Sequence, residues 1–230
     1  MQWLSVLTLA LSPGLALLAY FYLKDRYDAE PISWVAKLFA FGAMLVFPTL
    51  VLQRAMVYGF GEHPFGFAFG ISAGLEEFIK WFIVYYVIYK HTVFDEPYDG
   101  IVYCVAVSLG FATLENIIYA TMNDFTFSAF AYRAFIPVSG HALFGVVMGY
   151  YMGKAKFEPE KSRRLLAYSL FLPILWHGLL DFILISVKTG WIWLVVPFMI
   201  FLWIKGIWKV NKANAQSPFR AVHRDDEIKI

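Results

Sequence analysis

The sequence predicts an all-α fold, a polytopic membrane bundle of about seven transmembrane helices. Three observations predict it. Hydrophobic residues make up 60% of the 230-residue chain and charged residues only 16%, against about 45–50% and about 25% in ordinary soluble domains. Mean hydropathy is +0.61. Apolar runs of spanning length, about 20 residues, recur along the chain between short polar segments. The net charge of +2 is too small to point to nucleic acid as a partner, and the lone Cys104 excludes an internal disulfide.

The first run, 3–23, lacks a basic leading segment and a small-residue cleavage site, so it is expected to stay as a helix rather than be removed. The second, 34–58, carries Lys37, Gln53 and Arg54 near its ends. The third, 65–90, holds Glu76, Glu77 and Lys80 inside "GISAGLEEFIKWF". A "DEPYDG" turn precedes the fourth, 101–121, with Asp99 expected to cap the helix start. The fifth, 136–153, is the shortest. The sixth, 165–186, has Pro173 one turn before His177, where the missing N–H predicts a kink. Trp191, Trp193 and Trp208 bracket the seventh, 191–208, as interfacial anchors do. Residues 1–208 read as a single transmembrane domain and 209–230 as a flexible cytoplasmic tail. Gly70, Gly74, Gly110, Gly140, Gly145 and Gly149 are expected to let helices approach closely.

Orientation follows from the basic residues. The first, third and fifth loops and the tail carry Lys24, Arg26, Lys90, Lys154, Lys156, Lys161, Arg163, Arg164, Lys209, Lys212, Arg220, Arg224 and Lys229. The opposite loops carry only Arg133 and Lys188. Lysine and arginine favour the cytoplasmic side, which predicts the N-terminus outside, the C-terminus inside, and residues near Asn123 outside. The expected location is the cell membrane, with the lipid bilayer as the surrounding partner.

A charged side chain at mid-bilayer costs roughly 2.5–3.5 kcal/mol on insertion scales, so its presence demands a reason. Four consecutive spans hold nearly all the expensive groups: Glu76, Glu77 and Lys80, then Glu115 and Asn116, then Ser139 and His141, then His177 and Asp181. Counted from the outer end of each span at ~1.5 Å per residue, Glu76 and Glu77 lie about 17 Å deep and His177 about 14 Å. Glu115, His141 and Asp181 lie about 8–9 Å deep by the same rise. Agreement in depth from helices of alternating direction predicts one shared site in the outer half of the membrane. His177 and Asp181 are four apart, so the carboxylate is expected to orient the imidazole. Glu76 and Lys80 are also four apart, giving that glutamate a local counter-ion. Asn116 and Ser139 are expected to act as interhelical hydrogen-bonding groups.

Carboxylates and imidazoles in a water-poor cleft suit water activation and oxyanion stabilisation. A glutamate-activated water needs no cofactor, and none is expected; the same ligand types could instead bind Zn²⁺, but no HExxH is present and the zinc signal is weak. From the residues alone the site reads as a hydrolase or a proton-coupled carrier, with a non-catalytic scaffold for single-span helices as a third possibility. Internal repeats, frequent in transporters, are not visible.

Five stretches resemble the PrsW proteases of Gram-positive bacteria: "SPGLALLAYFYLKDRYDAEP", "LEEFIKWF", "FDEPYDGIVYCVAVSLGFATLENIIY", "SGHALFGVVMGYYMGKA" and "LPILWHGLLD". The similarity runs from about residue 10 to 185. That family belongs with the CAAX-prenyl and bacteriocin-processing intramembrane proteases, whose pattern is a paired glutamate, an F-x-x-x-H and an H-x-x-x-N/D motif. The paired glutamates fall on Glu76 and Glu77, and the last motif on His177 and Asp181. The middle motif departs, because Phe111 is followed four residues on by Glu115, not histidine. The resemblance implies a glutamate protease that performs site-1 cleavage of a single-span, membrane-embedded anti-sigma factor, starting sigma-factor release under envelope or antimicrobial-peptide stress. The implied roles are Glu76 or Glu77 as general base, His141 and His177 as oxyanion and water-positioning groups, and Asp181 orienting His177. Glu115 is expected to be a co-catalytic acid or a partner of such a group, its role left open by the departure from the pattern.

Overall fold

A computed structural model describes residues 2–122 and 126–220. Asn123 and the end of the tail, including Arg224 and Lys229, lie outside the described residues. Among those described, every regular element is helical. In a bilayer each backbone N–H and C=O must be satisfied within its own segment, and helices meet that demand.

Seven helices follow the seven apolar runs. They are α1 (Gln2–Leu23), α2 (Ile32–Phe60), α3 (Pro64–Gly66, Phe67–Ser72 and Ala73–Val87 in succession) and α4 (Asp99–Met122). Then come α5 (Phe127–Phe157), α6 (Pro159–Ser186) and α7 (Ile192–Ala215). Six of these are long and apolar enough to cross a membrane by length and composition. The exception is α3, whose apolar run is interrupted by three charged residues, Glu76, Glu77 and Lys80. The last helix continues to Ala215, past the boundary expected at residue 208.

Local chemistry marks the ends. Pro64 and Pro159 stand in first turns, where a missing N–H costs nothing. Gly61 ends α2 at φ 78°, ψ 175°, a conformation that belongs almost wholly to glycine. Asp99 does not cap forward into α4. Its Oδ2 accepts from the backbone N–H groups of Asp95 (2.7 Å) and Glu96 (2.8 Å), so it closes the preceding turn instead.

The centre of the bundle is α4 with α5, whose most apolar windows are 78% and 83% buried. Around them, α1 and α2 pack on α4, while α6 and α7 pack on α5 and α3 leans on α6. Glycines make the closest approaches. A Cβ at Gly110 would run into the Phe39 carbonyl of α2, and one at Gly149 into the Gly100 carbonyl of α4. Gly42 and Gly100 play the same part, though periodicity does not single them out. Gly70, expected to be one of this group, meets nothing within 4 Å.

Polar side chains also tie helices together. Asn116 donates to the Ala10 carbonyl (2.8 Å) and accepts from Arg133 Nε (2.6 Å), joining α1, α4 and α5. Ser139 accepts from the Trp203 indole of α7 (2.9 Å). At the end of the bundle where α1–α2 and α3–α4 connect, Asp25, Glu30, Glu96 and Asp99 form an acidic nest. Burial pushes the Asp25 carboxyl up to about 8 and the Glu30 carboxyl up to about 7.

Candidate active site

At the opposite end of the bundle, the first halves of α3 and α5 face the second halves of α4 and α6. Both inward-running helices carry a π-helical turn there, Phe67–Ser72 in α3 and Ala134–Val138 in α5. Pro137 removes one N–H from the second turn, and single π-turns inside helices recur at functional sites. Each π-turn ends just before the chemistry, the first ahead of Glu76 and Glu77, the second ahead of Ser139 and His141. Phe69 in the first lies so close to Gly178 that any side chain at 178 would strike its ring. That contact fixes the π-turn beside His177.

The structure brings all six residues named from the sequence into one constellation. Single donor atoms of Glu76, Glu77, His141 and His177 lie within 4.8 Å of one another. Glu115 Oε2 is 3.2 Å from His141 Nε2. Asp181 Oδ2 is 3.5 Å from His177 Nε2. A cavity of about 260 Å³ opens onto this set, lined by Ser72, Glu76, Glu115, Arg133, His141, His177 and Asp181 among others. It has room for several waters at about 30 Å³ each.

Lys80 sits at the middle, and it does more than neutralise one glutamate. Its ammonium is fully buried and reaches Glu77 Oε1 (2.8 Å), His141 Nδ1 (3.0 Å) and Glu76 Oε2 (3.3 Å). An ammonium has three N–H groups and no acceptor, so all three are spent. His141 Nδ1 must accept, which leaves Nε2 to carry the proton and donate it to Glu115. The Phe111 ring lies 4.3 Å from the same nitrogen of Lys80.

The two glutamates differ. Glu77 is completely buried, with Oε1 shared between Lys80 and His177 Nδ1 (2.9 Å) and Oε2 without a hydrogen-bond partner among the described residues. Glu76 lines the cavity and is held by Lys80 on one oxygen and by Gln53 Nε2 on the other (3.1 Å). The expected partnership of His177 with Asp181 is present but long. Glu77 makes the shorter contact, and Ser72 Oγ donates to Asp181 at 2.6 Å. Phe144 stacks on the His177 ring at 4.9 Å and 15°.

Three residues of this site are not marked as such by the sequence. Arg133 reads there as part of an outer loop, yet it ends a helical turn with its side chain buried, Nη2 3.6 Å from Glu115 Oε1. That nitrogen makes no hydrogen bond among the described residues. Ser72 and Gln53 are ordinary polar residues on α3 and α2, with no spacing signal to mark them.

The donor set also invites a metal test. Two carboxylates and two imidazoles are suitable types for Zn²⁺, and the orphaned Glu77 Oε2 is a free ligand atom. Lys80 Nζ contacts three of these four residues, so a dication held by the set would have to displace that ammonium.

A family model described as PrsW family intramembrane metalloprotease matches residues 30–205. The chain is 48% identical over 219 residues to the Protease PrsW of Geobacillus kaustophilus, covering 95% of this chain and 96% of the relative. It is 47% identical over 213 residues to that of Bacillus subtilis, covering 92% and 96%. For the Protease PrsW of Clostridioides difficile the identity is 33% over 218 residues, covering 91% of each. No solved structure matches.

Proposed function

The chain belongs to the PrsW family of intramembrane proteases, and we propose on that premise that its cavity hydrolyses a peptide bond of a single-span substrate by glutamate-activated water. Membership makes it a multi-pass membrane protease and sets aside the carrier and scaffold alternatives. What supports a glutamate mechanism is the position of Glu76. Its carboxylate borders the cavity, while the Lys80 ammonium behind it occupies the centre where a metal would be needed.

The chemistry then runs on this chain's own groups. Glu76 takes a proton from a cavity water as the water oxygen bonds to the substrate carbonyl carbon. The carbonyl oxygen gains charge, and Arg133, whose buried Nη2 faces Glu115 but makes no hydrogen bond among the described residues, is the group that can meet it. The proton held by Glu76 passes to the leaving nitrogen as the C–N bond breaks. Glu77 orients Lys80 and His177, and His177 presents its other face to the cavity beside Asp181. His141, with its N–H committed to Glu115, keeps that carboxylate beside Arg133 and is not free to serve as an oxyanion donor.

The substrate is a membrane-embedded anti-sigma factor, cut on its extracytoplasmic side. What supports this reading is the family resemblance and the excess of basic residues in the loops at the end away from the cavity. Co-expression with a tagged single-span anti-sigma factor should yield a shortened product absent without the protease. Reporter fusions after Arg164 should report cytoplasm, and fusions after Lys188 the outside. A reversal of the two reporters would move the cleavage to the cytoplasmic side.

A further inference from the structure

The acidic nest at the far end of the bundle is not used by the proteolytic site. One carboxylate oxygen from each of Asp25, Glu96 and Asp99 lies within 4.8 Å of the others. Glu96 and Asp99 are fully buried. Neither oxygen of Glu96 makes a hydrogen bond among the described residues, and the same holds for Asp99 Oδ1. The other Asp99 oxygen is already spent on the two loop amides, which aims Oδ1 at its neighbours. No ion pair among the described residues involves Asp25, Glu30, Glu96 or Asp99. Lys156, on the same side, instead donates to the His91 carbonyl and lies over Phe94. Glu30 is engaged by the Tyr103 hydroxyl, and Ser217 faces Glu96.

Buried carboxylates with unpaired oxygens and no ion-pair contact are costly as charged groups unless a proton or a cation joins them, and a cation can be shared by all three. The donors are all oxygen, which selects a hard cation. Ligands on opposite sides of Ca²⁺, at about 2.3–2.6 Å each, stand just under 5 Å apart, and those of Mg²⁺ slightly closer. The three nest oxygens, all within 4.8 Å of one another, are close enough to share one such cation.

We propose that Asp25, Glu96 and Asp99 form a binding site for one hard divalent cation, which clamps the α1–α2 loop to the α3–α4 loop at the end of the bundle away from the protease cavity. The cation ties Asp25, just past the end of α1, to the turn that starts the central helix α4. It is a structural staple, independent of the proteolytic chemistry, and its detection does not rely on turnover.

The test uses purified full-length protein in detergent, stripped of metal and titrated with Mn²⁺, free ion being read by electron paramagnetic resonance. Wild type should bind one Mn²⁺ per chain at sub-millimolar concentration, displaced by excess Mg²⁺ or Ca²⁺. Glu96→Gln, which keeps the shape and breaks no hydrogen bond seen in the structure, should weaken binding by about tenfold or more. Asp25→Asn, in the loop, gives a second variant should the first fold poorly. Glu76→Gln, which alters the protease site but is expected to stay folded, should bind as wild type does. Absence of binding up to about 1 mM, the weak end for protein calcium sites, overturns the proposal. So does binding that survives both nest variants, or that is lost in Glu76→Gln.

Discussion

Replacing Glu76 by glutamine is expected to leave a folded protein that still binds substrate but cleaves it about 10²–10⁴ times more slowly, the usual contribution of a positioned acid or base. The fold should tolerate the change because both of its partners can adjust. Gln53 can turn its amide to offer oxygen in place of N–H. Lys80 keeps Glu77 and His141 as acceptors. Glu77→Gln should also abolish turnover but cost stability, because its oxygen holds Lys80 and His177 in a fully buried position. Quantifying membrane abundance, substrate pull-down and product in the same membranes separates the two. Near-normal cleavage by both variants would remove the site from catalysis.

Lys80→Met should be the most destabilising change at the site. Taking away one partner of a buried ion pair typically costs about 3–5 kcal/mol, because the charge left behind has neither water nor a counter-ion. Here two carboxylates would be left, one of them with no exposure at all. Against a total stability of about 5–15 kcal/mol for most proteins, that loss should show as low abundance and a lowered unfolding midpoint. A second change that removes a negative charge, Glu77→Gln with Lys80→Met, should recover part of the midpoint without restoring cleavage. A Lys80→Met protein of normal stability and full activity would show that the ammonium does not organise the centre.

Much of this site is legible in the sequence. Expensive side chains at matching depths on α3, α4, α5 and α6 imply one shared cluster, and the structure gathers all six. Helical spacing also makes the Glu76–Lys80 contact readable. It cannot show that Lys80 reaches across to His141, sixty-one residues away, because that depends on how α3 and α5 pack. The same limit hides Glu77 as the nearer partner of His177. An i, i+4 neighbour is visible in one helix, whereas a neighbour from another helix is not. Arg133 is hidden because the polar, aromatic stretch before the fifth apolar run reads as loop, whereas it forms the first turns of α5 and ends on a buried Arg133. The π-turns escape for a different reason. They arise from local mismatch under tertiary packing, and apolar content alone carries no mark of them. The acidic nest is split between two segments that each look like a turn, "KDRYDAEP" and "FDEPYDG".

The central claim is that a glutamate, backed by an internal ammonium, activates the water without a metal. Its most direct test is the cleavage rate of purified protein on a tagged single-span anti-sigma factor, before and after exhaustive chelation, with Glu76→Gln as the blank and metal content measured in parallel. The arrangement around Lys80 predicts that cleavage continues at its original rate once bound zinc falls below stoichiometric levels. Loss of cleavage on chelation, with recovery on adding one equivalent of Zn²⁺, would contradict it and make Glu76, Glu77, His141 and His177 ligands around a displaced lysine.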